Sequence, residues 1–388
     1  MVSWTVVGFD SAWTDNAKAP GAVCAIRCDH HGYLSSSDPQ LASFNEAFDF
    51  IAAEQLKCDV CVVAIDQPTI VPNLGGMRPV DKVAASLISW LGGGVQPANR
   101  SKKGMFDDDA PIWRFKQRLS ASEDAEVARS AEQGLFLIEV FPALALPSLE
   151  AVYFGPLAAP CYNPGNKGRF RLSDWIGVTT MVDRHAATLG LGSLATWASN
   201  ASLISKPRKS DQDKLDAAIC ALVGMLWRSK DRSESIMVGN AEFGYMIAPA
   251  SPEVRARLRE AATRHNVPID GAYLSGQQAS QLIQQVPAGR WGPRPDLSRP
   301  ERTLAEVADW IRRVADSNTR PTGASTQHQT APTDVGSGIT KACPECGHKF
   351  RGGTWGGIDA HWKARRSQIM PYLEAWPIIK AGRKPSAV

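Results

Sequence analysis

The chain has 388 residues, of which 44% are hydrophobic and 21% are charged, and its formal net charge is +4. This length allows more than one domain with a full core, and the composition is that of a globular protein rather than a disordered or disulfide-rich one. Apolar runs stay short of the roughly 20 residues that a membrane helix requires, and the N-terminal stretch lacks the pattern of a secretory signal. We therefore expect a cytoplasmic protein with no membrane partner.

The positive charge is concentrated near the C-terminus. Residues 341–388 hold nine Lys and Arg against three Asp and Glu, a net charge of +6, so the first 340 residues carry −2. Basic tails often contact nucleic acid, although a solvated basic terminus explains the pattern equally well. The remainder of the chain shows no charge excess that would indicate a strong nucleic-acid surface.

The first part of the chain predicts strands and one helix. Apolar segments separated by turn residues predict antiparallel strands at 4–10, 21–28 and near 33–34. Apolar residues at helical spacing predict a helix from about 41 to 56. The continuous apolar run at 59–68 predicts a buried strand.

The next part predicts a second buried strand and several helices. The strand is predicted at 134–142, where a proline ends the apolar run, and residues 70–120 predict long loops with one short helix near 82–91. Further helices are predicted at 122–132, 173–188 and 211–227. This order of elements predicts a mixed α/β domain over residues 1–235.

Three segments are predicted beyond that domain. Residues 236–275 are interpreted as a small strand–helix extension, and residues 276–338 have the Gln, Pro, Ser, Thr and Gly content of a flexible linker. Residues 339–388 are interpreted as a compact module that opens on "CPECG".

The stretch "CDVC" gives Cys58 and Cys61 the CxxC spacing of metal and redox sites. Strand periodicity would direct the two side chains to opposite faces of the sheet. We therefore expect two unrelated thiols here.

Four acidic residues end or interrupt apolar segments: Asp10, Asp66, Glu139 and Asp216. A buried carboxylate is costly unless it is paired, hydrogen-bonded or bound to metal. Each acid alone is well explained as a loop-start residue that bonds nearby backbone amides. Because acids at neighbouring strand ends can converge, and because oxygen ligands suit Mg²⁺ or Mn²⁺, their repetition predicts a divalent-metal site.

The predicted helix "SDQDKLDAAICALVGMLW" carries Asp213 and Asp216 three residues apart on one face. Ser210 and Asp213 also fit a capping pair, which gives Asp213 a structural explanation. Asp216 lies on the apolar side that Cys220 continues, so it is the stronger candidate ligand.

Other catalytic patterns are absent from the sequence. There is no GxSxG elbow, and the glycine-rich segment at 92–104 is neither a Walker loop nor a dinucleotide fingerprint. The acids of "FDDDAP" (106–111) are expected to form a solvated turn.

Several spaced elements together resemble the domain of unknown function 429 family, which is classed as predicted RNase H-like nucleases. These elements are "GFDSAW", "AIDQP" followed by "RPVD", "IEVFPALAL", "CYNP…K" and "KSDQDKLDAAICAL". The resemblance covers about residues 1–230. It implies an RNase H-like fold, in which a mixed five-stranded sheet with its first three strands antiparallel is flanked by helices.

The resemblance also implies a metal site and a reaction. In the RNase H-like superfamily, acids on the first strand, the fourth strand and a late helix hold two divalent metals, and Asp10, Asp66 and Asp216 occupy those places. Asp213 is an additional candidate, and Glu139 matches a family motif after the fifth strand. The implied reaction is phosphodiester hydrolysis with Mg²⁺ or Mn²⁺, in which one metal activates water and the other stabilises the leaving oxygen.

Three basic residues are candidates for contacts to substrate phosphates: Arg78, Lys167 and Arg169. The alternative for each is a plain surface position.

The segment "CPECGHKFRGGTWGGIDAHWKARR" resembles a C2H2-type zinc finger. The resemblance implies Cys343, Cys346 and His361 as Zn²⁺ ligands, and a thiolate pair suits this metal.

This finger departs from the pattern at its fourth ligand. Arg365 and Arg366 stand where the second histidine belongs, and His348 is the nearest substitute. The alternative is a degenerate finger held without metal by four apolar side chains: Phe350, Trp355, Ile358 and Trp362.

The leading hypothesis is a metal-dependent nuclease whose C-terminal finger positions it on nucleic acid, either DNA or RNA. One alternative is a phosphotransferase on the same fold, which the missing phosphate-binding glycine loop argues against. Another is a non-catalytic nucleic-acid-binding protein in which the acids are remnants.

Overall fold

The structure is a computed structural model. The chain divides into two compact units, Met1–Pro321 and Thr322–Val388. It describes these residues: 2–15, 18–271, 343–346, 361–362, 369–370, 375–376, 378–379 and 383–387. The linker predicted at 276–338 lies outside the described residues. Within them, no helix is long and apolar enough to cross a membrane.

The first unit is built on a mixed sheet. Its strands are β1 (Trp4–Asp10), β2 (Gly21–Cys28), β3 (Leu34–Ser36), β4 (Gln40–Ala42), β5 (Val60–Ile65) and β6 (Gly134–Glu139). The order across the sheet is β3-β2-β1-β5-β6, and the short β4 pairs with β2. Strand β2 is antiparallel to β1 and β3, whereas β5 is parallel to β1 and β6. Because β1, β5 and β6 are parallel, their C-terminal ends lie at one edge of the sheet.

Helices flank this sheet, so the predicted mixed α/β class is confirmed. They are α1 (Phe44–Gln55), α2 (Pro79–Trp90), α3 (Pro111–Leu119), α4 (Ala125–Ser130), α5 (Pro142–Leu149), α6 (Leu172–Thr188), α7 (Gly192–Ser202), α8 (Lys209–Ser229) and α9 (Pro252–His265).

Two glycines allow α8 to pack closely on the centre of the sheet. A Cβ atom on Gly8 of β1 would lie 2.1 Å from the carbonyl oxygen of Ala217, and one on Gly224 would lie 2.6 Å from the Val6 side chain. A larger residue would force the helix away from the sheet. The close approach brings the first turns of α8 beside the C-terminal end of β1.

Helix α8 begins earlier than the sequence predicted. Lys209 is its first residue, and the backbone N–H of Arg208 donates to the carboxylate of Asp211 at 2.8 Å. The capping pair predicted for Ser210 and Asp213 is therefore wrong, because both residues lie inside the helix.

The stretch 70–120, predicted as long loops with one short helix, contains both α2 and α3. Pro111 is the first residue of α3, a position where proline is favoured in helices. The buried side chains of α3 are Ile112, Phe115 and Leu119. The strand predicted at 134–142 ends at Glu139, because Pro142 opens α5.

The described part of the predicted extension contains two strands rather than one. Strands β7 (Ser235–Asn240) and β8 (Gly244–Pro249) form an antiparallel hairpin, which α9 follows. The hydroxyl of Tyr245 donates to the carbonyl of Leu137 at 3.3 Å, so the hairpin packs against β6.

The expectation that Cys58 and Cys61 lie on opposite faces of the sheet is wrong, because both pack against the same apolar cluster beneath α1. Strand alternation applies to Cys61, but β5 begins only at Val60 and Cys58 precedes it. Cys58 is half-buried and Cys61 is fully buried.

In the second unit, Cys343, Trp362, Ala375 and Ile379 form a small buried cluster. The indole N–H of Trp362 donates to the carbonyl of Met370 at 2.9 Å. The other three side chains predicted to hold a metal-free finger lie outside the described residues: Phe350, Trp355 and Ile358.

Candidate functional site

A cavity of about 610 Å³ opens at the sheet edge where β1 and β5 end. Asp10 is the last residue of β1, Asp66 follows β5, and Asp213 and Asp216 lie on the first turns of α8. All four of these acids line the cavity. The structure therefore brings four of the five predicted catalytic acids around one space.

The carboxylates are held where ionisation is unfavourable. Asp10 is only 8% exposed, and burial raises its pKa well above the usual range, with further increases from Asp216 and Asp66. Burial likewise raises the pKa of Asp66, and the charges of Asp216 and Glu139 add to the effect. The positive charge of Lys209 lowers the pKa of both acids but does not outweigh these effects.

Asp216 has the most complete set of hydrogen-bond partners. The Tyr162 hydroxyl donates to its Oδ1 at 2.7 Å, and the Gln212 amide donates to its Oδ2. Burial raises the pKa of Asp216 to about 6, although Lys209, Tyr162 and Gln212 favour the charged form. The carbonyl oxygen of the Gln212 side chain is buried without a hydrogen-bond partner.

This donor set fits a hard divalent cation. Carboxylate oxygens and one unpartnered amide oxygen are the ligands that Mg²⁺ or Mn²⁺ prefers. In the described chain, Asp10, Asp66 and Asp216 do not meet the mutual spacing of 4.8 Å that would mark a compact single-ion cluster. The fit to a cation therefore rests on the chemistry of these donors and on the cavity that they share.

Glu139 lies next to the cavity but is committed to Arg78. The Arg78 guanidinium donates to both carboxylate oxygens of Glu139, at 2.6 and 2.9 Å, and to Asp81 at 2.7 Å. The backbone N–H of Thr69 adds a third bond to Glu139 at 3.2 Å. Arg78 is 0% exposed, so this placement contradicts the predicted phosphate contact and gives Arg78 a structural role.

The other two predicted phosphate ligands lie on one loop. Arg169 is exposed and lines the cavity, and its guanidinium donates to the carbonyl of Gly92 at 2.5 Å. Lys167 is exposed two residues away and lies outside the cavity lining.

Sequence reasoning missed Lys209 as a site residue. Its ammonium group pairs with Asp213 one helical turn away and lines the cavity. Burial by itself lowers the pKa of Lys209, but Asp10 and Asp213 outweigh that effect and raise it. The signal was available, because a Lys and an Asp four residues apart in a helix form a neighbouring pair.

We expect Lys209→Met to strengthen Mn²⁺ binding by roughly tenfold, because the ammonium group competes with the cation for the same carboxylates. Two unit charges 4 Å apart interact by about 4 kcal/mol at an effective dielectric of 20, so a tenfold change requires only a part of that energy. Isothermal titration calorimetry with Mn²⁺ would measure it. Lys214→Met is the matched control, since Lys214 is on α8 but outside the cavity lining. Equal affinities for both variants would contradict the prediction.

A separate cluster of metal-binding side chains lies in the second unit. The ligand atoms of Cys343, Cys346 and His361 all lie within 4.8 Å of one another. The distance from the Cys346 sulfur to Nε2 of His361 is 3.3 Å. Sulfur and imidazole donors at this spacing suit Zn²⁺. The residues considered for the fourth position lie outside the described chain: His348, Arg365 and Arg366.

Comparison with known proteins bears on the first unit. A family model described as "Protein of unknown function (DUF429)" matches residues 8–242, more than half of the chain. The chain belongs to this family. The predicted resemblance is thus confirmed, and the matched DUF429 region contains all four acids of the cavity.

One curated relative also shares part of the sequence. The biosynthetic peptidoglycan transglycosylase of Ectopseudomonas mendocina (strain ymp) is 31% identical over 136 residues, which are 35% of this chain and 46% of that protein. The chain therefore spans less than half the length of this relative. No solved structure matches the chain.

Proposed function

We propose that the DUF429 region is a divalent-metal-dependent nuclease that hydrolyses phosphodiester bonds in DNA or RNA. The observation that carries the proposal is the convergence of Asp10, Asp66 and Asp216 on one cavity, where burial and neighbouring carboxylates raise their pKa values. Strongly perturbed carboxylates in a cleft are typical of functional sites. A bound divalent cation would supply the positive charge that favours their ionised forms.

The strand arrangement supports an RNase H-like fold. Along the path β3-β2-β1-β5-β6, the first three strands in chain order are antiparallel, and β5 and β6 run parallel to β1. This agrees with the five-stranded sheet that the family resemblance implies. The short β4 lies off the path, so β5 takes the place of the fourth strand and Asp66 follows it.

The chain's own residues have distinct proposed roles. Asp10, Asp66 and Asp216 would hold the metals, with Asp213 as an additional ligand. When bound, the metals would supply an activated water and would stabilise the leaving oxygen of the phosphodiester.

The neighbouring side chains would orient the ligands and the substrate. Tyr162 and Gln212 fix the orientation of Asp216, because each donates to one of its carboxylate oxygens. Lys209 and Arg169 line the same cavity and place positive charge where substrate phosphates would enter.

The test is Mn²⁺-dependent cleavage of a panel that contains single- and double-stranded DNA, RNA and DNA–RNA hybrids. We expect wild-type protein to cleave at least one substrate and Asp10→Asn to lose roughly 10³-fold or more of that rate, because an essential metal ligand is removed. Asp109→Asn is the control, since Asp109 is exposed in the turn at 106–111. Absence of cleavage by wild type, or equal cleavage by Asp10→Asn, would count against the nuclease proposal.

We also propose that Cys343, Cys346 and His361 bind one Zn²⁺ ion and that the basic C-terminal segment helps to hold nucleic acid. Elemental analysis of the purified full chain is expected to find about one zinc per molecule, and Cys346→Ser is expected to lose most of it. Cys28→Ser is the control, because Cys28 lies on β2. Zinc retention by Cys346→Ser would reject the ligand assignment.

The positioning role predicts a second effect of the same variant. Cys346→Ser should weaken nucleic-acid binding while cleavage at saturating substrate stays close to the wild-type rate. Fluorescence anisotropy with a labelled oligonucleotide measures the first quantity, and a salt titration shows whether basic residues contribute.

A further inference from the structure

Trp13 lies on the wall of the cavity, beside the acid that follows β5. Its indole N–H donates to the backbone carbonyl oxygen of Asp66 at 3.2 Å. Its ring also packs edge-to-face with that of Phe106, and the two ring centroids are 5.4 Å apart. Trp13 is half-buried and lines the cavity, so part of its ring remains open to this space. The indole is therefore held in a fixed position next to a proposed metal ligand.

The other aromatic rings that line the cavity have different surroundings. Tyr162 is buried, and its hydroxyl donates to Asp216. Phe141 and Phe170 pack against large apolar clusters of the first unit. Trp13 instead packs against a small cluster whose buried members are Val71, Ala98 and Phe106. Among these rings, Trp13 is the half-buried one that is hydrogen-bonded directly to a residue of the acid site.

The charges and the size of the cavity suit a nucleotide unit. Lys209 and Arg169 line the same cavity and supply positive charge for a phosphate, whereas the indole supplies an apolar, aromatic surface. Aromatic side chains stack on nucleobases of any kind, because every base has a π-face. The cavity volume of about 610 Å³ lies within the range of pockets that enclose small ligands, roughly 300–1,000 Å³. A nucleotide whose base is unstacked from its neighbours can enter such a space, whereas the bases inside a duplex cannot present a free face to a side chain.

We propose that Trp13 stacks on an unpaired nucleobase next to the scissile phosphate, so that the cavity acts on single-stranded nucleic acid. This inference rests on the proposed function, because it names the substrate class of the same site. The indole is bonded to the backbone of Asp66, so a base stacked on it would bring its attached phosphate close to the acids. A duplex would first have to unpair locally, which carries a free-energy cost.

Fluorescence anisotropy with two labelled strands of equal length tests the proposal on the full chain. One strand is oligothymidylate, and the other is an abasic strand that keeps the sugars and phosphates but lacks the bases. Ca²⁺ replaces Mn²⁺, because it also takes oxygen ligands, and a gel at the end of each titration checks that the strand is intact. We expect wild type to bind oligothymidylate more tightly than the abasic strand by roughly 5- to 100-fold, the range that stacking of one base provides.

Two substitutions of Trp13 separate the aromatic ring from apolar volume. Trp13→Leu should remove most of the difference in affinity between the two strands, whereas Trp13→Phe should keep part of it because a ring remains. Trp113→Leu is the matched control, since Trp113 packs against the same small cluster and lies outside the cavity lining. Circular dichroism checks that each variant is folded.

Two outcomes would overturn the stacking proposal. One is a wild-type protein that binds both strands equally, which would indicate recognition of sugar and phosphate alone and which requires no variant to fold. The other is a folded Trp13→Leu that keeps the full difference in affinity. Cleavage of nucleic acid together with either outcome would reject the stacking contact and leave the nuclease proposal in place. A base preference that depends on Trp13, without cleavage of any substrate, would reject the nuclease proposal and retain the stacking site.

Discussion

Asp216→Asn is expected to stabilise the metal-free protein at neutral pH, by roughly 1–3 kcal/mol in the free energy of unfolding. The same substitution removes an acid that the proposed reaction needs, so stability should rise as activity is lost. Opposite effects of this kind distinguish a functional carboxylate from one that holds the fold together.

The sign follows from the pKa of Asp216, which folding raises from 3.8 to about 6. Between these two values the folded protein holds a proton that the unfolded chain has already released. The free energy of unfolding therefore falls as the pH rises through this window, and one pKa unit corresponds to about 1.4 kcal/mol. An asparagine cannot ionise, so the variant escapes this loss.

The substitution also suits the local hydrogen bonds. The amide oxygen can still accept from the Tyr162 hydroxyl, which now donates to Asp216 at 2.7 Å. The new amide nitrogen can donate to the Gln212 side-chain oxygen, which has no hydrogen-bond partner at present, once the Gln212 amide turns over.

Urea unfolding followed by tryptophan fluorescence measures the effect, with EDTA present, from about pH 4.5 to about pH 8. Asp216→Asn and wild type should differ little at the acidic end and progressively more toward neutrality. Asp109→Asn should track wild type throughout. Adding Mn²⁺ in place of EDTA should stabilise wild type more than Asp216→Asn. A difference that does not change with pH would show that the carboxylate charge is not its source.

The positions of Asp10, Asp66 and Asp216 follow from local sequence pattern. Each acid ends or interrupts an apolar run, and the ends of parallel strands necessarily meet at one sheet edge. The sequence therefore allowed the central acids of the cavity to be predicted without knowledge of the loops.

Residues that depend on long-range packing could not be predicted in this way. Tyr162 lies in an irregular segment, and its contact with Asp216 spans 54 positions of the chain. The sequence gives no sign that Arg78 is buried and paired, because its partner Glu139 lies 61 residues further on. For Cys58, the side-chain alternation of a strand was applied to a residue that lies two positions before β5 begins. The predicted face of the sheet was therefore wrong.

Arg78→Met is expected to destabilise the fold by about 3–5 kcal/mol, because it leaves two buried carboxylates without their counter-charge. Asp81 is 1% exposed and Glu139 is 2% exposed, so water cannot replace the lost guanidinium. Burial already raises the pKa of Glu139 despite the attraction of Arg78, and removal of that charge should raise it further.

Urea unfolding at neutral pH tests this expectation, with Arg27→Met as the matched control. Arg27 also forms a two-bond pair, with Glu54, but its side chain is 27% exposed and its loss should cost much less. Adding Glu139→Gln to Arg78→Met should recover part of the stability, because it removes one of the two stranded charges.

The same variant separates the two roles considered for Arg78. A phosphate-binding arginine would leave the free energy of unfolding unchanged when removed and would weaken substrate affinity. The loss of an arginine that neutralises Asp81 and Glu139 would instead lower the free energy of unfolding. It would also change the surroundings of Asp66, because the charge of Glu139 raises the pKa of Asp66. Unchanged stability together with weaker nucleic-acid binding would therefore support the predicted phosphate contact, although Arg78 is buried.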